Sequence, residues 1–294
     1  MSALSAGDAY LFLDDLYHIP RKYQAQVLDY FHRIAKGNNL WLKVGTIKHR
    51  TQWYVHGDPP VGVKIGDDIS DINLDLTLEK YRVTSAFLEK ILVNFLAESE
   101  VVRSDFLVRN AFDRLVLASG GVARDFLGLL RRSILIARER GPTARGEKVG
   151  VEDVNAAAGE YDSSKREELT RDTLDERQEL EEEFANVGRF VNEHSSANVF
   201  LMDKSLPDKE IERIEELVDL RLVHRVRSRV TVPDRPGKTF EAFMLDVSQY
   251  TAARKRRELE IIEFWREDAV DAIRRTGLIY KEWDGKKVVS QLAH

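Results

Sequence analysis

Tyr10-Leu-Phe-Leu-Asp-Asp15-Leu16 is a short apolar run that ends in two adjacent carboxylates, and its reading decides the fold. A run of this kind, bounded by polar residues, fits a strand buried in a parallel sheet. A second run, Leu40-Trp-Leu-Lys-Val-Gly-Thr46, has the same character. Between them Pro20 stands at a first helical position. Tyr23, Val27, Tyr30, Phe31 and Ile34 then recur at helical spacing until Gly37-Asn-Asn39 ends the pattern. Residues 10–16, 21–36 and 40–47 therefore read as strand, helix and strand, a unit that nearly always makes a right-handed parallel crossover. The crossover brings the C-terminal ends of both strands to one edge of the sheet, where open α/β folds bind ligands. Asp14, Asp15 and Thr46 share that edge.

Residues 48–68 hold Gly57, Pro59, Pro60, Gly62 and Gly66 and read as a long loop or irregular hairpin. Ile72, Leu74 and Leu76 alternate with polar residues, which predicts a third strand over 72–78. Apolar spacings of three and four predict helices over 79–98, 104–118 and 121–140. Gly141-Pro-Thr-Ala-Arg-Gly146 breaks the pattern, and 152–160 reads as a short helix. Residues 163–193 are dense in Glu, Arg and Asp. They read as a long solvated helix between two domains, with apolar contacts only at Leu180, Phe184, Val187 and Val191. Beyond residue 197 come a helix (208–221), a strand (223–232), a turn with Pro233, Asp234, Pro236 and Gly237, and a strand (239–247). That is the layout of a winged helix. A last helix is predicted over 252–275. The expected division is an α/β part at 1–78, an all-α part at 79–162, a linker helix at 163–195 and a winged-helix part at 196–294.

Length and composition set the bounds. A chain of 294 residues is long enough for two cores. Its 43% hydrophobic and 32% charged residues are those of a globular protein, with charge on the high side. No apolar run approaches the roughly 18 residues of a membrane span. Met1-Ser-Ala-Leu-Ser-Ala lacks the basic region and apolar core of a secretory signal. The absence of cysteine excludes disulfides and thiolate metal sites and fits a reducing, cytoplasmic setting. His18, His32, His49 and His56 show no metal-ligand spacing. A net charge of −5 argues against a protein that coats duplex DNA.

The strand-end residues carry the chemistry. A magnesium nucleotide needs a carboxylate to hold the metal through its water shell and a second polar group to orient the attacking water. Asp14 suits the metal and Asp15 the water. The alternative is that the pair only caps the next helix. Thr46, at the end of the neighbouring strand, can hydrogen-bond a phosphate or that water. Lys48 and Arg50 follow as cations within reach of a phosphate, although Arg50 reads first as an ordinary loop arginine. Ser119-Gly-Gly-Val-Ala-Arg124 opens a helix with two glycines that permit close backbone approach. A helix terminus with Arg124 on its first turn can meet an anionic phosphate, or the segment is a plain interhelical turn.

In this order the motifs resemble the AAA+ ATPase superfamily, particularly its initiator (origin-recognition) and STAND-like branch with a C-terminal winged helix. Leu11-Phe-Leu-Asp-Asp15 is similar to Walker B, Lys43-Val-Gly-Thr46 to the sensor 1 strand, and Gly120-Gly-Val-Ala-Arg124 to the sensor 2 helix of the lid. The resemblance implies a partial parallel αβα P-loop NTPase sheet followed by a helical lid. It implies catalytic roles for Asp14, Asp15, Thr46 and Arg50, a nucleotide contact for Arg124, and ATP with Mg2+ held at Asp14. It also implies nucleotide-dependent conformational change and assembly with itself or a protein partner. No Gly-x-x-x-x-Gly-Lys-Ser/Thr occurs anywhere in the sequence. Gly62-Val-Lys-Ile-Gly66 lacks the required ending and follows the catalytic strands. The expectation is an N-terminally incomplete enzyme that is inactive alone. The alternative is a non-enzymatic adaptor or DNA-binding regulator with a remnant ATPase fold.

The wing offers Arg225, Arg227 and Arg229 on alternate positions of one strand, with Arg235 and Lys238 at its tip, for phosphate contact. The helix that would enter a DNA groove carries Asp208, Glu210, Glu212, Glu215, Glu216 and Asp219 against Lys209 and Arg213. That acidity favours protein contacts over DNA. Arg254-Lys-Arg-Arg257, followed at once by Glu258 and Glu260, reads as a solvated helix start.

Overall fold

A computed structural model describes residues 7–47, 50–97, 100–144, 146–169, 174–250 and 259–282, with the backbone alone for 161–169 and 174–177. Lys48, His49 and Arg254–Arg257 lie outside the described residues. The protein is mixed α/β and divides into two compact units, Met1–Asp75 and Leu76–His294.

The first unit is built on the expected crossover. Strands β1 (Ala9–Leu13) and β2 (Leu40–Val44) pair in parallel, with Tyr10 opposite Trp41 and Phe12 opposite Lys43. Helix α1 (Arg21–Ala35) joins them, entered through a 3-10 turn at Leu16–His18. The 48–68 segment contains a small antiparallel hairpin, β3 (Tyr54–Val55) and β4 (Val61–Gly62). Leu16, Leu28 and Val63 form the core, and Val27, Val44, Trp53 and Ile69 pack on it. The strands are not buried on both faces as their composition predicts. Tyr10 is 56%, Phe12 72% and Trp41 54% exposed, because α1 covers only the face bearing Leu11, Leu13, Leu42 and Val44. The third strand is absent too. Ile72 and Leu74 are 73% and 85% exposed, and the Asp75 N–H donates to Asn73 Oδ1 at 2.8 Å. That side-chain turn competes with extended pairing, and alternation without a face to bury does not make a strand.

In the second unit a 3-10 turn (Leu78–Lys80) leads into α2 (Tyr81–Leu96). The helix predicted over 104–118 is two helices, α3 (Arg103–Phe106) and α4 (Arg109–Ala118). Leu107 and Val108 are extended between them. The Val149 N–H donates to Phe106 O and the Val108 N–H to Val149 O, so the interruption is satisfied from outside the helix. Helix α5 (Ala123–Arg140) follows, and then α6, which runs over Val151–Leu169, well past the predicted end at 160. Helix α7 (Leu174–Arg189) widens into a π-helical turn at Phe190–Ser195. Here a solvated linker was expected. The four apolar contacts expected on it, Leu180, Phe184, Val187 and Val191, are all buried, and they join α7 to the core of the second unit.

The C-terminal sheet has three antiparallel strands in the order β5-β7-β6: β5 (Val199–Asp203), β6 (Val223–Val230) and β7 (Phe240–Leu245). Helix α8 (Asp208–Asp219) lies between β5 and β6 in sequence. Among the described residues of the predicted last helix, 259–263 are not helical and α9 covers Ala269–Ile273. Glu260 N–H donates to Ser196 O and Asn198 N–H to Glu260 O, which draws the segment out beside the sheet. One hydrophobic cluster runs from Leu88, Leu115 and Phe126 through Val187 and Phe190 to Phe200, Phe243 and Tyr280. The all-α segment and the C-terminal sheet thus share a core. Fully burying each such side chain contributes about 1.5–3 kcal/mol.

Candidate functional site

The parallel pairing delivers Asp14 and Asp15 just past the end of β1 and Gly45 and Thr46 just past β2. The Gly45 N–H donates to Leu13 O at 2.8 Å and the Leu16 N–H to Gly45 O at 3.2 Å, which extends the ladder around the corner. Asp14 lies over Gly45 so closely that a Cβ there would sit 2.5 Å from Asp14 Oδ1. The same oxygen accepts the Asp15 N–H at 3.1 Å. Asp15 takes a left-handed conformation, φ 51° and ψ 40°, which Asp tolerates better than most residues. Its carbonyl accepts the His18 N–H. Asp15 makes no side-chain cap bond to the turn that follows, so its carboxylate is not consumed as a cap. Both carboxylates are exposed.

Thr51 is buried and its hydroxyl donates to Ile47 O at 2.7 Å. Since that hydroxyl has one hydrogen, the 2.7 Å contact between the Thr46 and Thr51 hydroxyls must use the Thr46 hydrogen. Thr46 therefore presents lone pairs outward, ready to accept from a water. It must rotate to donate to a phosphate. Behind it, buried Gln24 donates to Ile19 O and accepts the Gln52 N–H, both within 2.8 Å, tying α1 to the loop after β2. Arg50 is half-buried in that loop.

An exposed carboxylate with an oxygen-rich neighbourhood suits a hard cation that keeps most of its water. No group of three or more His, Cys, Asp or Glu able to hold a metal by themselves occurs among the described residues. The Asp14 carboxylate could thus serve as one ligand among waters, and the described residues form no closed metal cage. They do not include a glycine-rich cradle for phosphates.

Arg124 belongs to the second unit. It is exposed on the first turn of α5. The two glycines before it do permit close approach. Gly120, at φ 60°, faces the His224 ring, and Gly121, at φ 87°, faces Leu76 O and Thr84. His224 is buried and its Nε2 lies 2.7 Å from Asp246 Oδ2. Asp246 also accepts the N–H and hydroxyl of Ser248. Next to Arg124, Asp125 is buried and accepts from Arg221 at 2.7 Å. Neither buried pair is marked by a motif in the sequence.

The five cations expected on a wing, Arg225, Arg227, Arg229, Arg235 and Lys238, do not form one face. Register shifts between Arg225, Arg227 and Val230 break the alternation. Arg225 pairs with Glu215 and with Glu241, Arg227 donates to Phe264 O at 3.1 Å, and Lys238 pairs with Asp203 at 2.8 Å. Burial pushes the Asp203 carboxyl up. Lys238 and the N–H and hydroxyl of Ser205 together outweigh it and hold the group below its ordinary value. Arg229 is exposed, and Arg235 donates to Asp234 O at 3.0 Å. The basic residues of α8, Arg213 and Lys209, both bond Glu179, whose carboxyl they hold below its usual range.

An open cleft of about 550 Å³ lies between the start of α2, strand β6 and Phe264–Trp265. Tyr81 stacks on Trp265 with ring centroids 4.5 Å apart and 16° between the planes. Burial, then the Asp113 carboxylate that accepts its hydroxyl, pushes the Tyr81 phenol far above the ordinary value.

Among the described residues no helix is long and apolar enough to cross a membrane. No protein-family model matches the chain, and no curated protein matches it.

Proposed function

We propose that Asp14, Asp15 and Thr46 form the metal- and water-handling corner of an AAA+-type ATP site, and that the chain is a regulatory protein responding to nucleotide. The observation that carries this reading is the parallel β1–α1–β2 crossover, which sets two exposed carboxylates and a threonine hydroxyl at one strand-end corner. Asp14 would hold Mg2+ through its water shell. Asp15 and the outward lone pairs of Thr46 would accept the hydrogens of a water and so orient it. Mg2+ bound with a nucleotide supplies neutralisation of phosphate charge. These 294 residues contain no phosphate loop, so hydrolysis requires one contributed from outside them, and they are expected to be inactive alone.

A role for the C-terminal sheet in protein contacts is favoured over duplex DNA reading. The basic residues of α8 are engaged with Glu179, and the helix remains acidic.

Mn2+ is a paramagnetic stand-in for Mg2+ and broadens amide signals near its site. Titrated into the 15N-labelled chain, it should first broaden Asp15, Gly45 and Thr46, and Asp14→Asn should abolish the effect. Broadening that starts elsewhere, or survives Asp14→Asn, would falsify the metal assignment. Tight binding of Mg-ATP by the chain alone would overturn the incomplete-site reading.

A further inference from the structure

The cleft at the start of α2 concentrates positive charge in an otherwise acidic protein. Lys80, Arg82, Arg227 and Arg229 line it, with Glu79 as the one acidic side chain among its walls. Glu79 is occupied, because its Oε1 accepts the Ser228 N–H at 3.0 Å and so staples the start of α2 to β6. Arg227 is also fixed, by its bond to Phe264 O. Lys80, Arg82 and Arg229 remain exposed. Arg82 lies 3.6 Å from Glu267, but both side chains are more than four-fifths exposed, so this pair exchanges readily with another anion.

Beside these cations sit two apolar surfaces, the half-buried Trp265 and Val83, which is 56% exposed. The Tyr81 stack and the edge-on Phe264 ring hold the indole in place. A preset indole among cations suits a ligand that has flat rings as well as negative charge. We infer that this cleft binds single-stranded nucleic acid, with phosphates on Lys80, Arg82 and Arg229 and a base against Trp265. An acidic peptide would satisfy the charge but leave the indole unused. It would also need backbone donors, and the Ser228 N–H on this strand is already taken. Duplex DNA is disfavoured by the acidic α8, which the cleft does not use. The volume is within the about 300–1,000 Å³ typical of ligand sites, enough for a short segment.

The test is fluorescence anisotropy of a labelled oligothymidylate of about 20 nucleotides with the full chain, across salt concentrations. Three phosphate contacts on a single strand predict a slope of about −2 in log K against log salt. Arg82→Ala with Arg229→Ala should reduce the slope to about −0.7 and weaken binding about 20-fold at about 0.1 M salt. Arg131→Ala, on the exposed face of α5, should change neither. Binding should quench tryptophan emission, and Trp265→Phe should remove that quench while circular dichroism stays unchanged. Absence of saturable binding at about 50 mM salt, or equal losses in Arg131→Ala, overturns the proposal. So does displacement of the oligonucleotide by poly-glutamate at equal charge, which would make the ligand an acidic polypeptide.

Discussion

Replacing Gly120 with Ala is a sharp test of how the Gly-Gly turn is used. Gly120 has φ 60°, and a Cβ at that position would lie 2.4 Å from His224 Cε1 and 2.7 Å from Nδ1. Two costs follow. An alanine in the left-handed region costs about 1–2 kcal/mol. The ring must also move, which breaks the 2.7 Å bond to Asp246, a residue with no exposed surface. Losing a hydrogen bond to a buried charged group costs about 1.5–3 kcal/mol. Asp246 keeps its two bonds from Ser248, so the lower part of that range applies, and the total is about 3 kcal/mol. Urea unfolding followed by tryptophan fluorescence would measure it, with an unchanged m-value as the sign of a native-state effect. The His224→Ala background removes the ring, and there Gly120→Ala should cost only the backbone term of about 1–2 kcal/mol. The difference between the two backgrounds is the coupling, about 1.5 kcal/mol. A coupling below about 0.5 kcal/mol would refute the view that the glycine exists to admit the histidine ring. Arg124→Ala, at an exposed position, should stay within about 0.5 kcal/mol of the parent in the same assay.

Three further outcomes are expected. Gly45→Ala places a Cβ 2.5 Å from Asp14 Oδ1, so it should displace the carboxylate and weaken Mn2+ binding several-fold in the amide-broadening titration, with Asp14 still present. Arg221→Ala strips the buried Asp125 carboxylate of its guanidinium and should cost about 3 kcal/mol by urea unfolding, more than Asp125→Ala, which removes the buried charge itself. Tyr81 and Tyr280 both have phenols raised well above 10.0, by burial first and then by Asp113 and Glu183 respectively. A raised folded-state value means the contribution to stability is intact below about 10 and is lost as pH rises beyond it. Two of the nine tyrosines should therefore stay un-ionised in an ultraviolet titration until the chain unfolds, and Tyr81→Phe should lessen the alkaline loss of stability.

The sequence by itself determined the local elements and their order. Apolar spacing and the breakers at Pro20, Gly37 and Gly141 placed β1, α1, β2, α2 and α5 within a few residues, because helix and strand periods are properties of the chain. It also placed Asp14, Asp15 and Thr46 at one sheet edge, since a parallel crossover has one hand. Other features depended on what each segment meets. Ile72 and Leu74 have the alternation of a strand and are exposed, because no face covers them. Residues 104–118 have one helical pattern and form two helices, because Val149 takes the Phe106 carbonyl and the Val108 N–H. The charge of 163–193 suggested a solvated rod with four apolar contacts, and those contacts, Leu180, Phe184, Val187 and Val191, are buried while Glu179 and Glu182 stay exposed, since a single stripe is enough to join a core. Tertiary packing also brought His224 to Gly120, Arg221 to Asp125 and Trp265 to Tyr81. These pairs lie 104, 96 and 184 positions apart in sequence, a separation over which the residue pattern carries no information about contact. Only the folded chain could reveal them.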